Sequence, residues 1–420
     1  MTSRHLFALA PAGVALACLL SPAHAQSVDA LPGSYKVPGT ATSLRVSGWI
    51  NLAVNKDLGQ YLGSKFAVGN LQPNDSPAAH QHGNMSMNPK LNRLIFETLT
   101  PDTPYGPLHT MLSTDFFGSE KKTDAQEGLQ NNGYHLRLVQ AYAELGGLLV
   151  GQTWSNFVDD PDSAETLDSA GSAGTLSERT PQIRYTRSLG ALGSLSIAAE
   201  NPVGDYQTEG GAGASAYAIS TVNRIPDITA KYELSGRWGH AQVAGLFRRF
   251  HYDGGNGSSA AATGTGLMAG GTLNLSAVSA GFGKDTVGGQ VWRGDGIGHY
   301  VPDDFGQPTA FALSDSGTPA VHAQGQMLQG HVAFVRHFWS SQWRSTLALG
   351  MDHESYASFI VPSPDQAVTL RTVHANLIYG PLPGVSLGVE LAHGTKQFRS
   401  ELGLSDGVDT RVSLGGRFRF

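Results

Sequence analysis

The final twelve residues, DTRVSLGGRFRF (Asp409 to Phe420), read as two interleaved series. Val412, Leu414, Gly416, Phe418 and Phe420 form one, and Arg411, Ser413, Gly415, Arg417 and Arg419 form the other. Side chains of a β-strand alternate between its two faces, so this segment is a strand with one apolar and one cationic face. The same pattern recurs upstream. Leu44, Val46, Ile50, Leu52 and Val54 oppose Arg45, Ser47, Trp49 and Asn51. Leu347, Leu349 and Met351 oppose Arg344, Thr346 and Asp352, and Leu387, Val389 and Leu391 oppose Ser386 and Glu390. One such strand would suit a soluble sandwich. Period-two runs from Leu44 to the C-terminus, with almost no 3.6-residue periodicity between them, describe an all-β chain.

Composition narrows this further. The chain has 53 glycines and only 15% charged residues, yet no later segment is apolar enough for a membrane-spanning helix. In hydrocarbon every backbone polar group needs a partner, which leaves helices or a closed barrel. The alternating faces therefore predict a transmembrane, antiparallel up-and-down β-barrel, apolar side to lipid and polar side to water. Short turns are expected at Pro101–Pro107, Leu145–Gly147, Leu189–Gly193, Ser235–Gly239, Ser276–Asp285, Trp339–Gln342 and Tyr379–Gly384. Long loops alternate with them near Asn55–Pro89, Phe117–Gly133, Ser155–Thr180, Asn201–Pro226, Asp253–Thr265, Asp295–Gln326, Glu354–Gln366 and Gly394–Gly407. Seven turns and eight loops join about sixteen strands, with short periplasmic turns, long extracellular loops and both termini on the periplasmic side. Phe96, Phe116, Tyr142, Tyr185, Tyr232, Trp292, Tyr356 and Phe418 are candidates for aromatic girdles.

The N-terminus gives the compartment. Arg4 precedes an apolar run from Leu6 to Leu20, and Ala23-His24-Ala25 supplies a small-x-small cleavage pattern, so residues 1–25 read as a cleaved signal peptide. A periplasmic segment 26–43 and one barrel domain 44–420 follow. The only cysteine, Cys18, lies in the leader, leaving no disulfide and no thiol nucleophile. The chain carries 28 lysines and arginines against 34 acids; removing Arg4 leaves 27 against 34, a net charge of −7, which argues against nucleic-acid binding.

LPGSYKVPGTATSLRVSGW (31–49), GQTWSNF (151–157), RTPQIRYT (179–186), GDGIGHYV (294–301) and VRHFW…WRSTLALGMDHE (335–354) together resemble the DcaP-like porin family of Gram-negative outer membranes. Phe420 matches the C-terminal aromatic that outer-membrane barrels present to their assembly machinery. The resemblance implies a homotrimer of sixteen-stranded barrels, one loop folded into each lumen, and a preference for small anionic solutes such as dicarboxylates or aromatic carboxylates. Family members can carry a helical coiled coil before the first strand; here only Gln26 to Ser43 is available, so trimer contacts would fall on the barrel walls.

Selectivity in such a pore comes from side chains at its narrowest section, where low-dielectric walls focus the field. Strand alternation places Arg45, Arg93, Arg137, Arg184, Arg344, Arg411, Arg417 and Arg419 inside, with Lys231 and Arg248, against Glu97, Asp115, Glu200, Glu233, Asp352 and Glu390. Arg417 and Arg419 lie near the periplasmic end. Arginine suits the task because its planar fork binds a carboxylate through two hydrogen bonds and stays charged. These arginines are candidate anion-binding groups, or they pair with lumen acids and stiffen the barrel. The loop Ser155–Thr180, after the fifth strand, carries Asp159, Asp160, Asp162, Glu165 and Asp168; folded inward, these acids would face the arginine wall across a transverse field.

No catalytic, cofactor or metal site is assigned. His80, His82, Met85 and Met87 combine imidazole and thioether groups of the kind that bind copper, and a solvated loop tip explains them equally. The expected function is passive diffusion of small hydrophilic solutes. An outer-membrane barrel enzyme, built on His353 or His374 with an acid, and an adhesin or structural barrel remain as alternatives.

Overall fold

The computed structural model describes residues 31–118, 133–159, 164–208, 223–255, 257–302, 311–314 and 321–420. The expected signal peptide, residues 1–25, lies outside the described residues. Sixteen strands form the wall: β1 Ser43–Asp57, β2 Arg93–Thr100, β3 Leu108–Gly118, β4 His135–Leu145, β5 Leu148–Trp154, β6 Arg179–Ser188, β7 Ser194–Glu200 and β8 Asp227–Gly236. β9 Gly239–Asp253, β10 Ser259–Asn274, β11 Thr286–Asp295, β12 Met327–Phe338, β13 Trp343–Ser355, β14 Ala367–Tyr379, β15 Val385–Phe398 and β16 Gly407–Arg419 complete it.

Each strand pairs antiparallel with the next, and the ring closes because β1 is shared. Its first half, Ser43–Trp49, pairs with β2, and its second half, Trp49–Asp57, pairs with β16. At the crossover Gly48 and Phe420 exchange two backbone hydrogen bonds, of 3.2 and 3.1 Å. A Cβ on Gly48 would collide with the carbonyl oxygen of Arg93, so the seam admits only glycine there. The tightest turn, between β4 and β5, is Gly146–Gly147 with φ of +57° and +92°. Two consecutive positive φ values match the twist of the flanking strands and favour glycine.

The faces follow the alternation. Val46, Ile50, Leu52, Leu347, Leu349, Leu387, Val389, Leu391, Leu414 and Phe418 are exposed outward, whereas Asn51, Asn55, Thr346, Asp352, Glu390, Arg411 and Ser413 are buried inside. Turns at one end and loops at the other fall where expected, with two exceptions. The connection between β9 and β10 is only residues 254–258, because Ser259–Thr265 continues the strand, and β15 runs on to Phe398.

Among the girdle candidates Phe96, Tyr185, Tyr232 and Phe418 are exposed outward. Three others point inward. Trp292 is 2% exposed, packed against Phe157 and Leu176, and donates its indole N–H to the Gly174 carbonyl at 2.8 Å. Tyr142 sits edge-on to the ring of His109, and Tyr356 donates to Glu354 (2.9 Å) and to the Ala367 carbonyl (3.0 Å). The missing variable was a loop inside the barrel: an interior that packs against protein takes aromatic side chains as readily as a membrane interface does.

Candidate functional site

The described residues between β5 and β6, 155–159 and 164–178, lie inside the barrel along its inner wall. The loop's entry is fixed by Ser155 donating to Glu200 (2.9 Å) and by Gln242 donating to the Val158 carbonyl (2.9 Å), with Phe157 fully buried beneath. Asp159 then meets His240 at 2.8 Å. Further on, Glu165 accepts two hydrogen bonds of 2.7 Å from the Arg344 guanidinium, with Arg336 at 3.4 Å. The Leu167 and Asp168 amides donate to Glu390 at 2.7 and 3.2 Å. Asp168 itself pairs with Arg411 (3.0 Å) and accepts from the Phe66 amide (2.9 Å), which ties the first long loop to this one. Finally the Ala173 amide reaches Thr372 and the Gly174 amide reaches Asp352, both at 2.9 Å.

Past the loop's entry beside Glu200 of β7, these contacts lie on β9 and β12–β16, so the loop occupies one side of the lumen. The wall there is cut back to receive it. A Cβ on Gly350 would strike the Ala173 carbonyl, and side chains on Gly388 and Gly415 would meet Leu167 at 3.1 and 2.9 Å. Part of the high glycine content thus serves close backbone approach between wall and loop. Burial alone would push the Glu165 carboxyl up; the Arg344 hydrogen bonds and the charges of Arg344, Arg336 and Arg417 outweigh it and hold Glu165 below the ordinary glutamate value of 4.5.

The opposite wall carries the basic groups. Arg45 pairs with Glu97. Arg93 and Arg137 share the buried Asp115 at 3.4 and 2.7 Å, each guanidinium also over an aromatic ring, Trp49 (4.8 Å) and Phe117 (5.1 Å). Arg179 stacks on Trp154 at 4.6 Å, and Arg184 donates to the Trp154 carbonyl at 3.3 Å. Among the described residues neither Arg179 nor Arg184 forms an ion pair, although Glu178 and Glu144 lie close enough to be felt. Lys231 pairs with Glu233 at 2.9 Å. Arg184, Lys231, Glu233, Asp159 and His240 border a hollow of about 400 Å³ between this wall and the start of the loop.

The predicted residues therefore separate into groups. Arg45, Arg93, Arg137 and Arg184 stand on the basic wall. Arg344 and Arg411 anchor the loop instead, and Arg411 is 0% exposed, held by Asp57 at 2.6 and 3.0 Å as well as by Asp168. Arg248 is likewise buried, bonded to Asp227 (2.8 Å) and to two loop carbonyls, while Arg419 is exposed at the turn end. Asp159, Glu165 and Asp168 are each spent on the wall that holds the loop; Asp160 and Asp162 lie outside the described residues.

Arg179 was missed. It is an odd number of residues from Arg184, so strict alternation assigns the two to opposite faces; the pairing of β5 with β6 sets it directly across from Trp154, over whose ring it lies. The rings of His80 and His82 stand 6.3 Å apart, while Met85 and Met87 are exposed on a short strand beside β1. His374 contacts Glu390 at 3.2 Å, both buried under the loop and away from the outer rim, and His353 contacts Thr369 at 3.1 Å.

Residues 32–360 match the family model described as Porin subfamily. The chain belongs to the porin family. No curated protein matches this porin in sequence. Among solved structures, it is similar to the outer membrane channel DcaP of Acinetobacter baumannii, with a TM-score of 0.74 at 20% identity over 92% of this chain and 100% of that one. It also resembles an anion-selective porin from Comamonas acidovorans (TM-score 0.53, 11% identity, 90% of this chain and 100% of that one). OmpF of Salmonella typhi, solved with daunomycin, gives a TM-score of 0.54 at 11% identity over 90% and 98%. The porin is a channel of the bacterial outer membrane.

Proposed function

We propose that this porin passes small hydrophilic anions, dicarboxylates or aromatic carboxylates among them, through the gap between loop 155–178 and the wall of Arg93, Arg137, Arg179 and Arg184. One observation carries the reading. Asp159, Glu165 and Asp168 of the loop are paired to the wall that holds it and Glu178 to His299, whereas Arg184 borders the hollow and Arg179 stacks on Trp154, neither with an ion pair among the described residues. The field across the gap is then set by the wall cations, which attract an anion and can grip its carboxylate by two hydrogen bonds. Aromatic rings under Arg93, Arg137 and Arg179 hold the guanidinium planes and add flat apolar surface.

On the same reading residues 1–25 direct export and are cleaved, Phe420 is presented to the assembly machinery, and the barrels associate as homotrimers through their outer walls. That the Comamonas protein is described as anion-selective supports the charge argument. Planar-bilayer recording across a KCl gradient tests it. The reversal potential should take the sign of chloride preference; a cation-selective sign refutes the charge reading, and absence of any conductance refutes the channel.

A further inference from the structure

The first long loop, residues 58–92 between β1 and β2, also folds into the barrel. Leu62, Phe66, Val68 and Leu71 recur along it, and apolar side chains of this size leave water when a surface can cover them. Here they pack against Leu370 of β14, Ala392 of β15 and Ala173 of loop 155–178, and Phe66, Val68 and Leu71 are 0% exposed. The Phe66 ring stands edge-on to His374 at 6.1 Å, seven residues down β14 from its long-loop end, so the loop reaches well into the lumen. The wall is cut back for it: a Cβ on Gly394 of β15 would strike Val68, and one on Gly407 of β16 would stand 2.7 Å from the Gln72 carbonyl oxygen. Lys396 donates to the Gly69 carbonyl at 2.8 Å and Arg411 to the Gly63 carbonyl at 2.9 Å, which fastens the loop to β15 and β16.

Lys65 sits between these anchors and is half-buried. On one side the Ser64 carbonyl accepts from Asn88 at 3.0 Å, and on the other the Phe66 amide donates to Asp168 at 2.9 Å, so the backbone that carries Lys65 is pinned at both ends. Its ammonium lies 5.3 Å from the centre of the Phe117 ring, on the inward face of β3. The Arg137 guanidinium lies 5.1 Å from the same ring. The first loop thus brings a lysine from one side of the lumen to the head of the basic wall, where Arg93 and Arg137 share Asp115.

We propose that the first loop is a second constriction element and that Lys65, which it holds beside Arg137, is a selectivity-determining residue for anionic solutes, an inference that rests on the anion reading above. On a freely solvated loop tip a lysine charge is screened within about 8 Å and acts on nothing in particular. Fixed inside a lumen with low-dielectric walls, the same charge is focused on the path of a permeating ion. An ammonium is a compact point charge without the two-pronged grip of a guanidinium, so it draws an anion in and releases it to the arginines below. A purely structural role, in which the lysine only covers the Phe117 ring, is the rival reading.

The chloride-to-potassium permeability ratio of the purified porin, read from reversal potentials in planar bilayers under a KCl gradient, separates the two. Lys65→Met keeps the stem and removes the charge; it should lower the ratio about threefold, the effect of one unit charge roughly 6 Å from the ion's path in water. Lys65→Arg should keep the wild-type ratio. Gly394→Val should unseat the loop, raise conductance and lower the ratio, with heat-modifiable gel mobility confirming a folded barrel, and adding Lys65→Met to it should change the ratio little further. A chloride-preferring wild type whose ratio is unchanged in Lys65→Met overturns this inference and leaves the anion reading standing. A full threefold effect of Lys65→Met in the Gly394→Val background overturns the role of the loop's seat. A wild type that prefers potassium removes the anion reading and this inference with it.

Discussion

Arg411→Met isolates the most heavily invested contact of the lumen. The native guanidinium is 0% exposed and holds Asp57 through bonds of 2.6 and 3.0 Å, Asp168 at 3.0 Å and the Gly63 carbonyl at 2.9 Å. Both carboxylates have side chains no more than 2% exposed, so the substitution leaves two buried acids facing each other without a cation. Removing one partner of a buried pair costs about 3 to 5 kcal/mol. The barrel wall cannot relieve this, because Asp57 is fixed in β1 beside β16; the loop can, by swinging Asp168 away. Release of the loop is therefore favoured by roughly two to four powers of ten relative to the wild type. Single-channel recordings should show larger conductance with added open-channel noise, and native gel mobility should be kept. The double variant Arg411→Met with Asp168→Asn should recover part of the quiet state. An Arg411→Met channel with wild-type conductance and noise would refute the assignment of Arg411 to loop anchoring.

Gly350→Val should expel the loop from the other end, since even its Cβ would strike the Ala173 carbonyl; protease accessibility of residues 164–178 in the folded barrel should rise, and unchanged cleavage would contradict the seat described. Glu165 has a folded-state pKa below its ordinary 4.5, so its contribution is fully present above pH 4.5 and is lost only as pH falls through the lowered value. Channel noise in the wild type should thus stay low down to about pH 4.5 and rise below it, with Glu165→Gln noisy across the whole range. Arg179→Gln with Arg184→Gln should shift the reversal potential toward cations without changing barrel stability measured by heat-modifiable mobility. The same double change made at Arg248 and Arg411, both fully buried, should instead lower that stability.

Phe420 and the strand that ends on it show how far the sequence reaches. Side-chain period in a strand is two whatever the strand pairs with, so Leu414 and Phe418 had to lie opposite Arg411 and Arg417 once the segment was extended. The same arithmetic, with turns and loops in alternation, gave sixteen strands, their direction and the inward face of Arg45, Arg93, Arg137 and Arg184. It also put β5 immediately before the segment that enters the lumen.

Partners were another matter. Alternation says in or out, never how high a residue stands or what shares the interior with it. Arg411 and Asp168 are 243 residues apart, and Glu390 and Leu167 are 223 apart; only the path of the loop along β13–β16 joins them. That path turned Arg344 and Arg411 from candidate solute ligands into anchors, drew Trp292 and Tyr356 inward, and gave the glycines of the wall their use. Arg179 takes its place from the β5–β6 pairing that sets it across from Trp154, a register no period-two count contains. The sequence by itself determined the barrel and its two faces because these depend on local geometry. The tertiary structure alone decided which inward charges remain available to a solute, because pairing depends on distances across a closed lumen.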